Sequence, residues 1–211
     1  MYIAAMSPRP RLVSDEEILA ATARAIGRVG PVDLTLAHVA KDLGVSPATL
    51  VQRFGSKRRV LLALAKTGSA GVESCFAGAG GSSPLQRLIG ALASIAHSIG
   101  RPEEISNHLA FLQIDLTDPD FHALALAHAR ATQRHIQKLL REAVNGGELV
   151  RGCDVRQLAR SLQALMSGSL LTWAVVRSGN GEAWLRRDLE AAVAPYRRKK
   201  NARPPHRRPR A

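Results

Sequence analysis

Between Thr35 and Arg59 the chain reads TLAHVAKDLGVSPATLVQRFGSKRR, and several side chains there suit contact with nucleic acid. Ala48, Thr49, Val51, Gln52 and Arg53 share the outward face of a short helix whose inner face is Leu50 and Phe54. Thr and Gln hydrogen-bond base edges, Ala touches a thymine methyl, and Arg binds guanine or phosphate. Lys57, Arg58 and Arg59 then fall in the first turn of the next helix, where cations oppose its dipole. That placement makes sense where phosphates approach, because the free N–H groups of the same turn attract them too. A solvated basic turn is the plainer alternative.

The elements that must position these residues are legible from spacing. Leu36, Val39, Ala40 and Leu43 recur at three and four residues, the stripe of a short amphipathic helix. Thr35 precedes that stripe and can cap it through its hydroxyl. Gly44 supplies the positive φ that ends it. Ser46 can cap a second helix, and Pro47 fits its first turn, where a missing N–H costs nothing. Two short helices joined by such a turn form a helix-turn-helix, whose second helix lies in the major groove. An ordinary helical hairpin with a solvated outer face has the same spacing. Before it, Ser14-Asp15-Glu16-Glu17 reads as a capping box. The helix it opens buries Ile18, Ala21, Ala25 and Ile26 and ends at Gly30-Pro31, completing a three-helix unit.

Charge separates the two readings further. Residues 1–66 hold ten Lys/Arg and five Asp/Glu, residues 67–194 hold twelve of each, and residues 195–211 hold eight Lys/Arg and no acid. The net +13 therefore sits on the helix-turn-helix unit and the tail, with a neutral middle, as in a nucleic-acid reader joined to a regulatory body. No apolar run approaches the roughly 20 residues of a membrane span, and the N-terminus lacks a signal arrangement. A cytoplasmic protein without membrane contact is expected. Cys75 and Cys153 stand far apart and read as small buried hydrophobes. No nucleophile elbow, phosphate loop or glycine fingerprint occurs, so no enzyme and no cofactor are expected. His97, His108, His122, His128 and His135 lack the tight spacings of a metal site.

The segment GVSPATLVQRFGSKRRVLLAL resembles the TetR family of transcriptional regulators, strongly over Thr35 to Leu64 and weakly over the whole chain. The resemblance implies an all-α fold of about nine helices. An N-terminal three-helix DNA-binding domain (14–66) would follow a flexible arm (1–13) and precede a helical regulatory and dimerisation domain (67–195) and a disordered basic tail (196–211). It further implies that Thr35 and Ser46 touch phosphates, that Pro47, Ala48 and Thr49 face bases, and that Lys57 anchors a phosphate. One departure stands out. Val51 occupies the family's usual tyrosine position, so that phosphate contact is lost, and Arg53 is a candidate to replace it.

Beyond the helix-turn-helix, Lys57 to Phe76 reads as a connector helix weakened by Gly68 and Gly71 and able to bend. Helices follow at Pro84–Ile99, Pro102 to about Thr117, Phe121–Val144, Asp154–Val176 and Glu182–Ala194, without any strand pattern. The last two are the expected homodimer contact by resemblance, and Ser167-Gly168-Ser169 lets backbones approach closely. A C2 dimer places two recognition helices about one DNA turn apart and so predicts a palindromic operator. The neutral middle is the place for a small effector. Its candidate lining is Leu92, Ile95, Leu109, Leu112, Phe121, Leu124, His128 and Trp173, although plain core has the same pattern. That mostly aliphatic set suits an apolar or amphipathic ligand. The expected function is a ligand-responsive repressor of double-stranded DNA. The alternative is a helical small-molecule-binding or scaffold protein whose helix-turn-helix is vestigial.

Overall fold

The computed structural model describes residues 13–198, so the arm at 1–12 and the tail at 199–211 lie outside it. The described residues form nine α-helices and two short 3-10 turns, with one isolated bridge between Leu149 and Arg197. The all-α expectation holds.

Helix α1 (Asp15–Asp33) opens on the capping box: Ser14 Oγ accepts the Glu17 N–H at 3.1 Å, and Glu17 Oε2 accepts the Ser14 N–H at 2.8 Å. Its regular path breaks at Gly30, φ +75°, immediately before Pro31. Helices α2 (Leu36–Leu43) and α3 (Pro47–Phe54) follow, with Ala40 and Leu50 fully enclosed. Ile18, Ala21, Ala25, Leu34, Val39 and Leu61 complete this first core. Phe121 belongs to the same core, and Phe111 and Ile114 pack against it. The DNA-binding unit therefore draws on side chains from well beyond position 66.

Helix α4 (Lys57–Gly78) is the connector, capped by Ser56. Its two parts, Lys57–Gly68 and Ala70–Gly78, meet at 41°. Glycine at the joint has a packing reason as well as a weak helix propensity. A Cβ on Gly68 would stand 3.2 Å from His128 Nδ1. Among the described residues no single helix is long and apolar enough to cross a membrane.

The body comprises α5 (Pro84–Ile99), α6 (Ile105–Thr117), α7 (Pro119–Asn145), α8 (Val155–Val176) and α9 (Gly181–Val193). A 3-10 turn, Pro102–Glu104, precedes α6 where one continuous helix was expected. Arg101 at its start makes no side-chain cap, so the first turn tightens instead. Leu88, Leu92, Ile136, Leu140, Leu162, Leu185 and Leu189 centre the second core. The two units also touch through α1 and α6: Asn107 Nδ2 donates to the Gly27 carbonyl at 2.7 Å.

The tail begins later than expected. Tyr196 O accepts the Val150 N–H and the Arg198 N–H reaches Glu148 O, both at 2.9 Å, so residues 196–198 belong to the fold. Such a backbone pairing leaves no mark in a stretch whose composition is basic and polar.

Candidate nucleic-acid interface and effector cavity

The turn between α2 and α3 is built as its residue types require. Thr35 Oγ1 accepts the His38 N–H at 3.3 Å, and Gly44 adopts φ +66°, ψ +31°. The Val45 N–H returns to the Ala40 carbonyl at 3.1 Å. Ser46 Oγ accepts the Thr49 N–H at 3.2 Å and lies 3.0 Å from Thr49 Oγ1. The Thr35 and Ser46 caps are side chains, the Gly44 cap is backbone, and together they leave the outer face of α3 clear. Pro47, Ala48, Val51 and Gln52 are exposed on it, Thr49 is half-buried, and Leu50 is inside.

Three cations around α3, Arg53, Lys57 and Arg58, are already engaged. Arg53 donates to the Val13 carbonyl and pairs with Asp15 at 2.5 Å, which fastens α3 to the start of α1. Lys57 Nζ donates to the Val32 carbonyl at 2.7 Å. Arg58 turns away from α3: its Nη2 reaches Asp118 Oδ1 and Oδ2 at 3.0 and 2.9 Å and Asp120 Oδ2 at 2.8 Å. The guanidinium also lies over Phe121, 5.6 Å from the ring centroid. The Arg58 hydrogen bond holds the Asp118 carboxyl below the ordinary carboxylate range. Arg58 is therefore a tie between α4 and α7, which the sequence reading as part of a basic turn missed. Its partners lie sixty residues away, and such long-range pairing has no periodic signature.

Two of the hollows in the body lie between α6 and α8. The larger, about 570 Å³, is walled by α4, α6, α7 and α8. Of the expected lining it holds Leu112, Leu124 and His128. A second, about 350 Å³, is lined by Ile95, Leu109 and Leu112 of that set, together with Ile99, Ile105, His108, Leu170 and Leu171. Leu112 and Ser167 line both. Three expected residues are corrected. Leu92 at 0% exposure and Trp173 at 3% belong to the second core, and Phe121 belongs to the first; none lines either cavity. Apolar helix faces look alike in sequence whether they meet a neighbour or a void.

Apart from His128, the main polar lining lies outside the expected set. Asp115, His122, Thr132 and Gln163 face the larger cavity, beside Phe111. Burial pushes the Asp115 carboxyl up, and nearby His128 pulls it partly back. One signal was available: Asp115 interrupts the apolar run FLQIDLT. Among the described residues no group of three or more His, Cys, Asp or Glu side chains is placed to hold a metal.

On α8 the residues Ser167-Gly168-Ser169 diverge. Ser167 lines the cavities, Ser169 Oγ donates to Asp188 of α9 at 2.5 Å, and Gly168 faces open space. Gly168 continues an exposed stripe of Ser161, Ala164, Thr172 and Val175, the last 83% exposed.

A capped helix-turn-helix with an open second helix, joined by a bent connector to a hollow helical body, defines a transcriptional regulator that binds DNA. Residues 18–64 match the family described as bacterial regulatory proteins, tetR family. Residues 84–196 match the C-terminal domain of the BetI-type transcriptional repressor. The chain belongs to the TetR family of transcriptional regulators, an assignment that does not favour a scaffold with a vestigial helix-turn-helix.

Solved structures share the fold. A TetR-family regulator from Rhodococcus sp. is 24% identical, with 84% of this chain and 97% of that one covered, at a TM-score of 0.64. A transcriptional regulator from Saccharomonospora viridis, solved with choline, is 23% identical, with 85% and 95% covered and a TM-score of 0.67. The regulator FadR from Bacillus subtilis, solved with stearoyl-CoA, is 18% identical, with 86% and 98% covered and a TM-score of 0.65. No curated protein matches the sequence.

Proposed function

We propose that this regulator is a homodimeric, effector-released repressor acting in the cytoplasm on a palindromic operator. Pro47, Ala48, Thr49, Val51 and Gln52 present the base-reading face of α3, while Thr35 and Ser46 hold the phosphates on either side. Lys57 exchanges the Val32 carbonyl for a phosphate when DNA docks, a move its flexible stem permits. Arg53 fixes the angle of α3 through Asp15 and Val13.

The single observation that carries the effector reading is the place of the larger cavity. Its wall includes Gly68, at the bend of α4, and His128, packed directly on that glycine. A ligand that displaces His128 changes the space available at the joint. The first part of α4 packs into the DNA-binding unit, so a changed bend moves that unit relative to the body against the Arg58 tie to α7. Each protomer's α3 then leaves the spacing that two half-sites demand. Dimerisation is supported by the Ser161, Ala164, Gly168, Thr172 and Val175 stripe of α8, together with the outer face of α9. Small side chains there allow two such helices to approach closely.

The test is fluorescence anisotropy of a labelled operator, titrated with the protein at fixed salt and then with small amphiphiles. The reading requires operator affinity to fall as an amphiphile binds. Amphiphile binding at the cavity with undiminished operator affinity would contradict it.

A further inference from the structure

The two cavities are chemically unlike. The smaller one has His108 and Ser167 as its only polar lining residues, and the remainder is Ile95, Ile99, Ile105, Leu109, Leu112, Leu170 and Leu171. The larger one carries a carboxylate, Asp115, as its sole acid. No Lys, Arg or His nitrogen lies within 4.0 Å of that carboxylate among the described residues. Two further groups beside it favour a ligand that donates hydrogen bonds or brings positive charge. Gln163, which lines the cavity, donates its Nε2 to the Ala129 carbonyl at 3.3 Å, and its amide oxygen remains an acceptor. Thr132 is 4% exposed and lines the same wall. Phe111 adds an aromatic ring, the side chain whose face attracts cations. Asp115 is half-buried, and burial pushes its carboxyl up while His128 only partly offsets this; a cationic ligand beside it relieves that desolvation cost.

We propose that the effector is an amphipathic organic cation, with its ammonium end between Asp115 and Phe111 in the larger cavity and its hydrocarbon end passing Leu112 into the smaller one. The inference rests on the reading of these cavities as the effector site, and it adds the sign of the head group and the path of the chain. An anionic head would have to pair with His122 and His128 while facing Asp115 across the same space. A neutral head would leave the carboxylate with only the partial offset of His128.

The test is calorimetric titration of the full chain with dodecyltrimethylammonium, dodecyl sulfate, dodecanol and tetramethylammonium, each below its aggregation concentration. Dodecyltrimethylammonium should bind about tenfold or more tighter than dodecanol, the size of a charge-assisted contact in a partly buried site. Asp115→Asn should erase that preference while leaving dodecanol affinity unchanged. Tetramethylammonium should bind at least tenfold more weakly than its long-chain counterpart, because each buried methylene is worth about threefold or more. Leu112→Trp should remove the gain from the chain and spare the head group alone.

Comparable or tighter binding of dodecanol or dodecyl sulfate by the unmodified protein overturns the cation assignment and leaves the cavity as an effector site. Failure of all four probes to bind overturns both. Because the comparison among probes is made first on the unmodified chain, misfolding of either variant does not rescue the proposal.

Discussion

Gln52 and Arg53 are adjacent in sequence, both exposed in helix α3, and differently employed. Gln52 projects from the open face of α3, whereas Arg53 spans to Val13 and Asp15 at the start of α1. Gln52→Ala should therefore weaken specific binding by about 1–3 kcal/mol, the worth of a bidentate base contact, with no change in melting temperature. Gel-shift titration and thermal melting on the same preparation check this. Arg53→Ala should instead lower stability by about 0.5–1 kcal/mol, as expected of a partly exposed ion pair. A double-mutant cycle with Asp15→Ala recovers that coupling, and operator preference at every base position should stay the same. A shift of preference at one position would make Arg53 a base reader. The residue types at this site are readable from sequence because caps, prolines and glycines act locally. The tie between Arg53 and Asp15 is not, since ion pairing across tens of residues follows no spacing rule.

At the scale of elements, helix starts and stops were legible almost throughout. The Ser14, Thr35 and Ser46 caps and the Gly44 turn all appear where their types and spacing place them. What escaped was the dual role of α6, which braces α1 on one side and walls both cavities on the other. Gly30 marks the first of these contacts. It combines φ +75° with the approach of Asn107, whose Oδ1 would stand 2.9 Å from a Cβ. Gly30→Ala should cost about 2–3 kcal/mol, combining left-handed backbone strain with displacement of Asn107. Chemical denaturation measures it, and a loss below about 0.5 kcal/mol would show that this contact yields freely. Apolar stripes likewise could not separate core from cavity. Leu92 and Leu112 are equivalent in pattern, yet one is enclosed among leucines and the other divides two voids.

At the scale of the molecule, charge segregation and the order of helices pointed to a DNA-binding head on a neutral body, and the family match agrees. The proposed assembly places two protomers against each other at the exposed α8 stripe. Gly168→Arg places a long cation in open space, so each protomer should keep its helical content. The mass by light scattering should halve and operator affinity should fall steeply, because a single recognition helix loses its partner half-site. An unchanged mass would remove α8 from the interface.

The central claim is that α3, from Pro47 to Phe54, enters a duplex and reads it. Selection of bound sequences from a random DNA pool tests this most directly. The account predicts enrichment of an inverted repeat whose half-sites are centred about one helical turn apart, and loss of that enrichment with Gln52→Ala. Recovery of a pool with no preferred sequence, or the same repeat selected equally well by the Gln52→Ala protein, would contradict it.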